Sequence, residues 1–246
     1  MNTTTQLALV GTTLAMTSLA NAALVNVNFN GFTGGNTGPQ PQIESTLEGP
    51  AGGLGTIWNQ FSDEDSTGAL VDATNGATSV QFTTNFSESR FNGTAPTINM
   101  FEAALTDFGR GQTKNLTITG LDSGSVYDVW LVGYRDSTSA AERLYGNWST
   151  TNTTTSASNQ FVDNRVGANN ATFVEGYNYV LFEGVVPNGS NEIVFDGKGQ
   201  TIAADGADGD YRHGLNGFQI NAAPIPEPSA LALLGIAGLA ALRRRR

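Results

Sequence analysis

Between Ala23 and Ala223 the chain repeats one theme, short apolar stretches separated by Gly, Asn, Asp, Ser and Thr. Such spacing predicts many short strands joined by turns, which is the pattern of an all-β sandwich or barrel. Leu24 to Phe29 alternates as Leu-Val-Asn-Val-Asn-Phe and predicts the opening strand. Further strands are expected at 55–61, 69–72, 79–84, 115–119, 126–134, 144–148, 172–175, 177–183, 192–196 and 215–221. In Asn115-Leu116-Thr117-Ile118-Thr119 the alternation puts Leu116 and Ile118 on one face and polar neighbours on the other. The stretch 126–134 is apolar on both faces and is expected centrally in a sheet, with Asp128 as its one misfit. Leu121-Asp122-Ser123-Gly124 between these two strands reads as a hairpin turn.

One internal segment has helical spacing. Over 99–108, Phe101, Ala104, Leu105 and Phe108 recur three, four and seven apart, with Asn99 as cap and Gly109 as stop. This predicts a crossover helix on a sandwich edge. Residues 149–158 read Ser-Thr-Thr-Asn-Thr-Thr-Thr-Ser-Ala-Ser, a low-complexity stretch expected outside the core as a solvated loop or edge strand. No repeat of fixed period is visible, which argues against solenoids and propellers.

The two ends follow different rules. Leu7 to Leu19 is mostly apolar and uncharged and leads into Ala20-Asn21-Ala22, so residues 1–22 read as a secretory signal helix cut after Ala22 by signal peptidase, with Ala20 and Ala22 as the small residues at the cut. Met1 to Gln6 departs from that pattern by lacking Lys and Arg. At the other end, Pro224-Ile225-Pro226-Glu227-Pro228 precedes an uncharged run from Ala230 to Leu242 and then Arg243, Arg244, Arg245 and Arg246. As a helix that run spans roughly 20 Å, against a hydrocarbon core of about 30 Å, so it predicts a short transmembrane helix suited to transient residence. The arginine cluster would hold the C-terminus on the cytoplasmic side, and the prolines keep the preceding segment extended and accessible. The domain between the ends is 23–223.

Pro226-Glu227-Pro228, the apolar run and the arginine tail together resemble the PEP-CTERM sorting signal of bacterial exopolysaccharide-associated proteins. That resemblance implies an exosortase as processing partner. It also implies transient residence in the inner membrane and a destination at the cell surface or in the extracellular matrix. The phrases Leu24 to Asn30, Thr56 to Asn59, Phe173 to Tyr179 and Leu215 to Ile220 are similar to an uncharacterised group of exported PEP-CTERM proteins. The closing phrase is also similar to the last strand of galactose-binding-like jelly rolls. The implied fold is a jelly-roll-like antiparallel β sandwich.

Composition narrows the chemistry. The 246 residues include 22 acidic and 12 basic side chains, one histidine and no cysteine. The four terminal arginines are a third of all the cations, so the domain itself is strongly acidic and is not expected to bind nucleic acid or anionic lipid. Absence of cysteine excludes disulfides, thiolate nucleophiles, iron–sulfur clusters and cysteine zinc sites. His213 lies in a charged loop with no nucleophile elbow in the chain, so no catalytic residue is named.

Three ligand readings follow. Asp63-Glu64-Asp65 and the loop carrying Asp205, Asp208 and Asp210 offer hard oxygen ligands for a structural calcium, against the alternative of a solvated acidic turn. Trp148 with Tyr145, and Tyr211 with Arg212, are candidates for stacking on a sugar face and hydrogen-bonding its hydroxyls. Trp58 and Trp130 sit in apolar strands and read as core. Asn-x-Ser/Thr triplets at Asn85, Asn115, Asn147 and elsewhere arise from a composition rich in those residues. The expected role is non-enzymatic, structural or adhesive, with extracellular polysaccharide as partner. Its rivals are a polysaccharide-acting hydrolase or lyase using two carboxyl groups, and a matrix filler without a ligand.

Overall fold

The computed structural model describes residues 24–29, 40–43, 47–53, 55–61, 69–86, 88–91, 103–106, 113–134, 145–164, 172–199 and 214–223. These form β1 (Val25–Phe29), β2 (Gln40–Ile43), β3 (Ile57–Phe61), β4 (Gln81–Thr84) and β5 (Glu88–Phe91). Then come β6 (Ala103–Thr106), β7 (Thr113–Thr119), β8 (Val126–Val132), β9 (Tyr145–Thr150) and β10 (Asn159–Asp163). The last are β11 (Tyr179–Val185), β12 (Ile193–Gly199), β13 (Gly214–Leu215) and β14 (Gly217–Ala223).

Two large sheets, ordered β11-β8-β14-β1-β3-β2 and β10-β9-β12-β7-β4, enclose the core, and a small one is ordered β13-β6-β5. Among the described strands only β1 with β3 is a parallel pair. The period of two along each strand builds the core directly. Val25, Val27 and Phe29 of β1, Val129 and Leu131 of β8, and Phe218 and Ile220 of β14 share one buried cluster with Phe82, Leu116, Ile118, Trp148 and Phe195 of the other sheet. Leu116 and Ile118 do share the inward face, and β8 runs between β11 and β14 as its apolar composition requires.

Asp128, the misfit in β8, has a local job. Its Oδ1 accepts from the Gly184 amide at 2.9 Å, where the β11–β8 register shifts between Phe182 and Val185. A bulge leaves an amide out of the ladder, and a carboxylate from the neighbouring strand satisfies it.

Over β1, β3 and the start of β14 the outer face of the six-stranded sheet is also buried, which the alternation of β1 did not foretell. Asn26, Asn59 and Gln219 are inaccessible to solvent; Gln219 and Asn26 tie down Ala51, Gly52 and Thr56, and Asn59 ties down Val71. Gln219 Nε2 donates to Asn26 Oδ1 at 2.7 Å and to the Gly52 carbonyl at 3.0 Å, and Gln219 Oε1 accepts from the Ala51 amide at 2.8 Å. Asn26 Nδ2 reaches Thr56 Oγ1 and the Ile57 carbonyl. Asn59 Nδ2 bonds the Val71 carbonyl while its Oδ1 accepts from the Val71 amide. Apolar residues could fill this volume but could not satisfy the backbone of the covering loop. Replacing Gln219 by Ala removes one buried and two part-buried hydrogen bonds and should cost about 2–3 kcal/mol, read as a lower urea midpoint at unchanged slope.

Several expectations are corrected. The helix expected over 99–108 gives way, at Ala103–Thr106, to β6, which pairs with β5 on one side and β13 on the other. Pairing on both edges satisfies the backbone of a short segment whose apolar spacing is too brief to nucleate a helix alone. Residues 69–72 and 172–175 contribute only the single bridges Val71↔Ala77 and Glu175↔Tyr179, and β2, β5 and β10 were not foreseen.

The Ser/Thr-rich stretch 149–158, expected outside the core as a solvated loop or edge strand, is partly interior: β9 runs into it, and Thr150 and Asn152 are buried at 7% and 8% exposure. Its continuation covers the outer edge of β11, with the Thr155 amide on the Glu183 carbonyl at 2.9 Å and the Val186 amide on the Thr153 carbonyl at 2.8 Å. Hydroxyls of Thr154 and Thr155 donate to the same Glu183 carbonyl. Small hydroxyl side chains thus cap a sheet edge that would otherwise be open for pairing. The described residues contain no helix, and both segments expected as terminal helices, 1–22 and 224–246, lie outside them.

Candidate functional site

Because most inward positions of the five-stranded sheet take the apolar residues, its outward positions form a polar face. Register places Asn159, Ser149, Asp196 and Asn115 in one row across β10, β9, β12 and β7. The adjacent row reads Phe161, Asn147, Lys198 and Thr113. Side chains within, between and beside the rows hold one another. Asn115 Nδ2 donates to Asp196 Oδ1 at 2.7 Å, Asn85 Nδ2 to Asn115 Oδ1 at 3.1 Å, and Asn147 Nδ2 to Asn159 Oδ1 at 2.8 Å. The Asn85 side chain is itself fixed by accepting from the Asn115 amide at 2.7 Å.

Phe161 stands beside this amide row at 42% exposure, one of two large hydrophobics so exposed among the described residues. An aromatic face next to fixed amide and carboxylate groups can stack on the C–H face of a sugar and hydrogen-bond its hydroxyls. Prior ordering of the polar groups lowers the entropy cost of doing so.

The residues singled out in sequence fare differently. Trp148 is fully buried and packs at 6.3 Å, centroid to centroid, against Phe86, so its ring supports the sheet from beneath and does not present a face to a ligand. Trp58 is buried as expected, whereas Trp130 is only half-buried. Tyr145 lies in β9 opposite Asp163, with its side chain outside the described set. Asp63, Glu64, Asp65, Asp205, Asp208, Asp210, Tyr211, Arg212 and His213 lie outside the described residues, as do Ala20 and Ala22 and the terminal run with Pro226, Glu227, Pro228 and Arg243 to Arg246. Phe161 carried no signal of its own, since a lone aromatic in Asn-Gln-Phe-Val-Asp reads equally as core. Its outward position follows only once Val162 is known to point inward.

A second feature is a groove of about 330 Å³ at one end of the sandwich, between the turns 72–80 and 120–127 and over Val25, Ile220 and Ala222. Asp72 and Asp122 line it. Partial burial pushes the Asp72 carboxyl up, but donation from Thr74 Oγ1 and from the Gly76 and Thr74 amides outweighs it and holds the group below its ordinary value. The Gly124 amide and the Ser125 hydroxyl do the same for Asp122. Burial pushes the Tyr127 phenol up, and its oxygen accepts from the Asp122 amide at 2.9 Å. A general acid for glycoside cleavage needs a carboxyl raised toward neutrality, and both carboxyls here move the other way.

Residues 224–246 match the PEP-CTERM protein-sorting motif. No curated protein matches the chain. Among solved structures, the ANXUR2 extracellular domain from Arabidopsis thaliana is 14% identical, with 82% of this chain and 50% of that one covered at a TM-score of 0.44. The plant receptor-like kinase FER is 14% identical, with 84% and 50% covered at a TM-score of 0.41. The chain thus spans about half the length of these structures.

Proposed function

Because the chain is a PEP-CTERM sorting domain-containing protein, and the motif implies export and sorting by an exosortase, we propose that it works at the cell surface or in the extracellular matrix as a non-enzymatic structural or adhesive protein that holds polysaccharide. In this reading the signal over 1–22 directs export, with Ala20 and Ala22 flanking the cut. The segment 224–246 spends a transient stage in the inner membrane before an exosortase removes or exchanges it. The domain 23–223, which we take to be a jelly roll of the galactose-binding-like kind, is what remains outside.

The observation that carries the polysaccharide part is the hydrogen-bonded row Asn85–Asn115–Asp196 on the sheet face that also presents Phe161 and Asn147. Polysaccharides are extended, and an open sheet face with repeated amide groups suits them better than an enclosed pocket. Weak contacts then add along the polymer. Tyr145, two residues before Asn147 along β9, extends the same assignment. The same reading assigns a structural calcium to Asp205, Asp208 and Asp210 and a further sugar contact to Tyr211 and Arg212, in the sequence ahead of β13.

Affinity electrophoresis of the exported chain in gels containing soluble matrix polysaccharide tests the reading. Phe161→Ala should weaken retention about tenfold, equivalent to about 1.4 kcal/mol, while costing no more than about 1–2 kcal/mol of stability, because the ring is partly exposed. Asn115→Ala should weaken it as well. Unretarded migration of the wild-type chain through every polysaccharide tried would leave the matrix-filler alternative standing. Product release from the polysaccharide would favour the hydrolase. Melting with and without chelator reads the calcium assignment separately.

A further inference from the structure

Lys198 stands where the stability of the sheet gives no reason for a cation. β12 is the middle strand of the five-stranded sheet, a place that favours β-branched and aromatic residues over Gly and Lys, yet it closes on Gly197-Lys198-Gly199. Packing accounts for Gly197, which is buried and lies between Trp148 of β9 and Lys114 of β7, two large inward neighbours. Packing does not explain Lys198. A lysine on an edge strand blocks unwanted pairing, but β12 is paired on both sides. Lys114 points inward, is 6% exposed and donates to the Asn85 carbonyl at 3.1 Å. Lys198 is outward and exposed, and among the described residues its ammonium has no hydrogen-bond or ion-pair partner. Asp196, the next outward residue of β12, lies about 7 Å away along the strand, and its carboxylate accepts from Asn115.

We propose that Lys198 makes this sheet face selective for acidic polysaccharide, its ammonium pairing with the carboxylate of a uronate sugar. The assignment rests on the polysaccharide reading above and adds the charge of the sugar to it. Register puts Lys198 in the row that begins at Phe161, with Asn147 of β9 between them. Strands stand about 4.8 Å apart, so the aromatic residue and the cation are separated by about 10 Å at the backbone, a span that neighbouring sugars of one chain can bridge. A sugar stacked on Phe161 sets the carboxylate of its neighbour at Lys198. The acidity of the domain opposes a polyanion at long range, but at physiological ionic strength exposed charges further away than about 8 Å are largely screened. The charge that a sugar in the Phe161 row meets is that of Lys198, since Asp196 belongs to the adjacent row.

The test runs the exported chain at physiological ionic strength in affinity gels containing polygalacturonate or its methyl ester, polymers of one backbone that differ in charge. The wild type should be retained about fivefold more strongly by the free acid, the upper end of what one exposed ion pair supplies. Lys198→Gln should abolish that preference and leave retention by the ester unchanged, and Lys198→Arg should keep it. Because the side chain is exposed, neither variant should move the melting temperature by more than about 2 °C. Equal retention of the wild type by acid and ester overturns the proposal while leaving the polysaccharide reading in place. A preference that survives in Lys198→Gln also overturns it, and so does a loss that falls equally on both polymers. Retention by neither polymer overturns it as well, and the gels of other polysaccharides then decide the wider reading on their own.

Discussion

Phe82→Ala should lower the melting temperature of the chain by about 10 °C, from a loss of about 3–5 kcal/mol. Phe82 belongs to β4, at the edge of the five-stranded sheet, but its ring is received by the opposite sheet. It stands edge-on to Phe61 at 4.9 Å, to Phe218 at 5.3 Å and to Phe29 at 5.6 Å. Those partners come from β3, β14 and β1, so one ring joins three strands of one layer to a strand of the other. Truncation removes the transfer free energy of the ring and opens a cavity, and three ordered rings can close only part of it. Edge-to-face geometry adds about 0.5–1.5 kcal/mol per pair beyond burial. Thermal unfolding by near-ultraviolet circular dichroism measures the loss. A change under about 1 kcal/mol would mean that the two sheets are not packed as described.

Gly120→Ala is expected to be nearly as damaging, although it adds only a methyl group. Gly120 directly follows β7 at φ +72, in the left-handed region that costs an L-residue about 1–2 kcal/mol. A Cβ there would fall inside the envelope of the Ser79 carbonyl oxygen, and that is backbone, which cannot swing aside. The two segments are also tied by the Ser79 hydroxyl, which donates to the Gly120 carbonyl at 2.6 Å. Strain and clash together should cost about 3 kcal/mol or more. Gly52→Ala is the control, with φ +85 and nothing within 4 Å of the added carbon. It should cost only the conformational part, about 1–2 kcal/mol. Equal losses in the two variants, read from urea midpoints, would remove the close approach of Ser79 from the account.

These two positions differ in how far they could be read in advance. Phe82 lies in an alternating stretch, so its inward side was legible, but its three partners lie far along the chain and no local pattern names them. Gly120 was visible as the residue before a hairpin turn, whereas the carbonyl that forbids a side chain comes from Ser79. The candidate site divides in the same way. Leu116 and Ile118 announced which face of β7 is buried, and so implied that Asn115 and Thr117 face outward. Nothing local could align Asn115 with Asp196, Ser149 and Asn159, because register between strands is a long-range quantity. Trp148 misleads for the same reason: its polar neighbours Asn147 and Ser149 occupy the other face of the same strand.

From the sequence by itself came the β character of the domain, the inward side of its alternating strands, and the sorting motif at 224–246. Each is written in consecutive residues, as a period of two or as a tripeptide, an apolar run and a basic tail in fixed order. Only the tertiary structure decided that Ala103–Thr106 is strand, that the Ser/Thr-rich stretch closes the edge of β11, that Asn26, Asn59 and Gln219 are interior, and that Phe161 stands beside an ordered amide row. Each of those outcomes depends on which backbone groups and side chains meet across the sheets, and a short segment takes whichever conformation satisfies its hydrogen bonds where the rest of the chain has placed it.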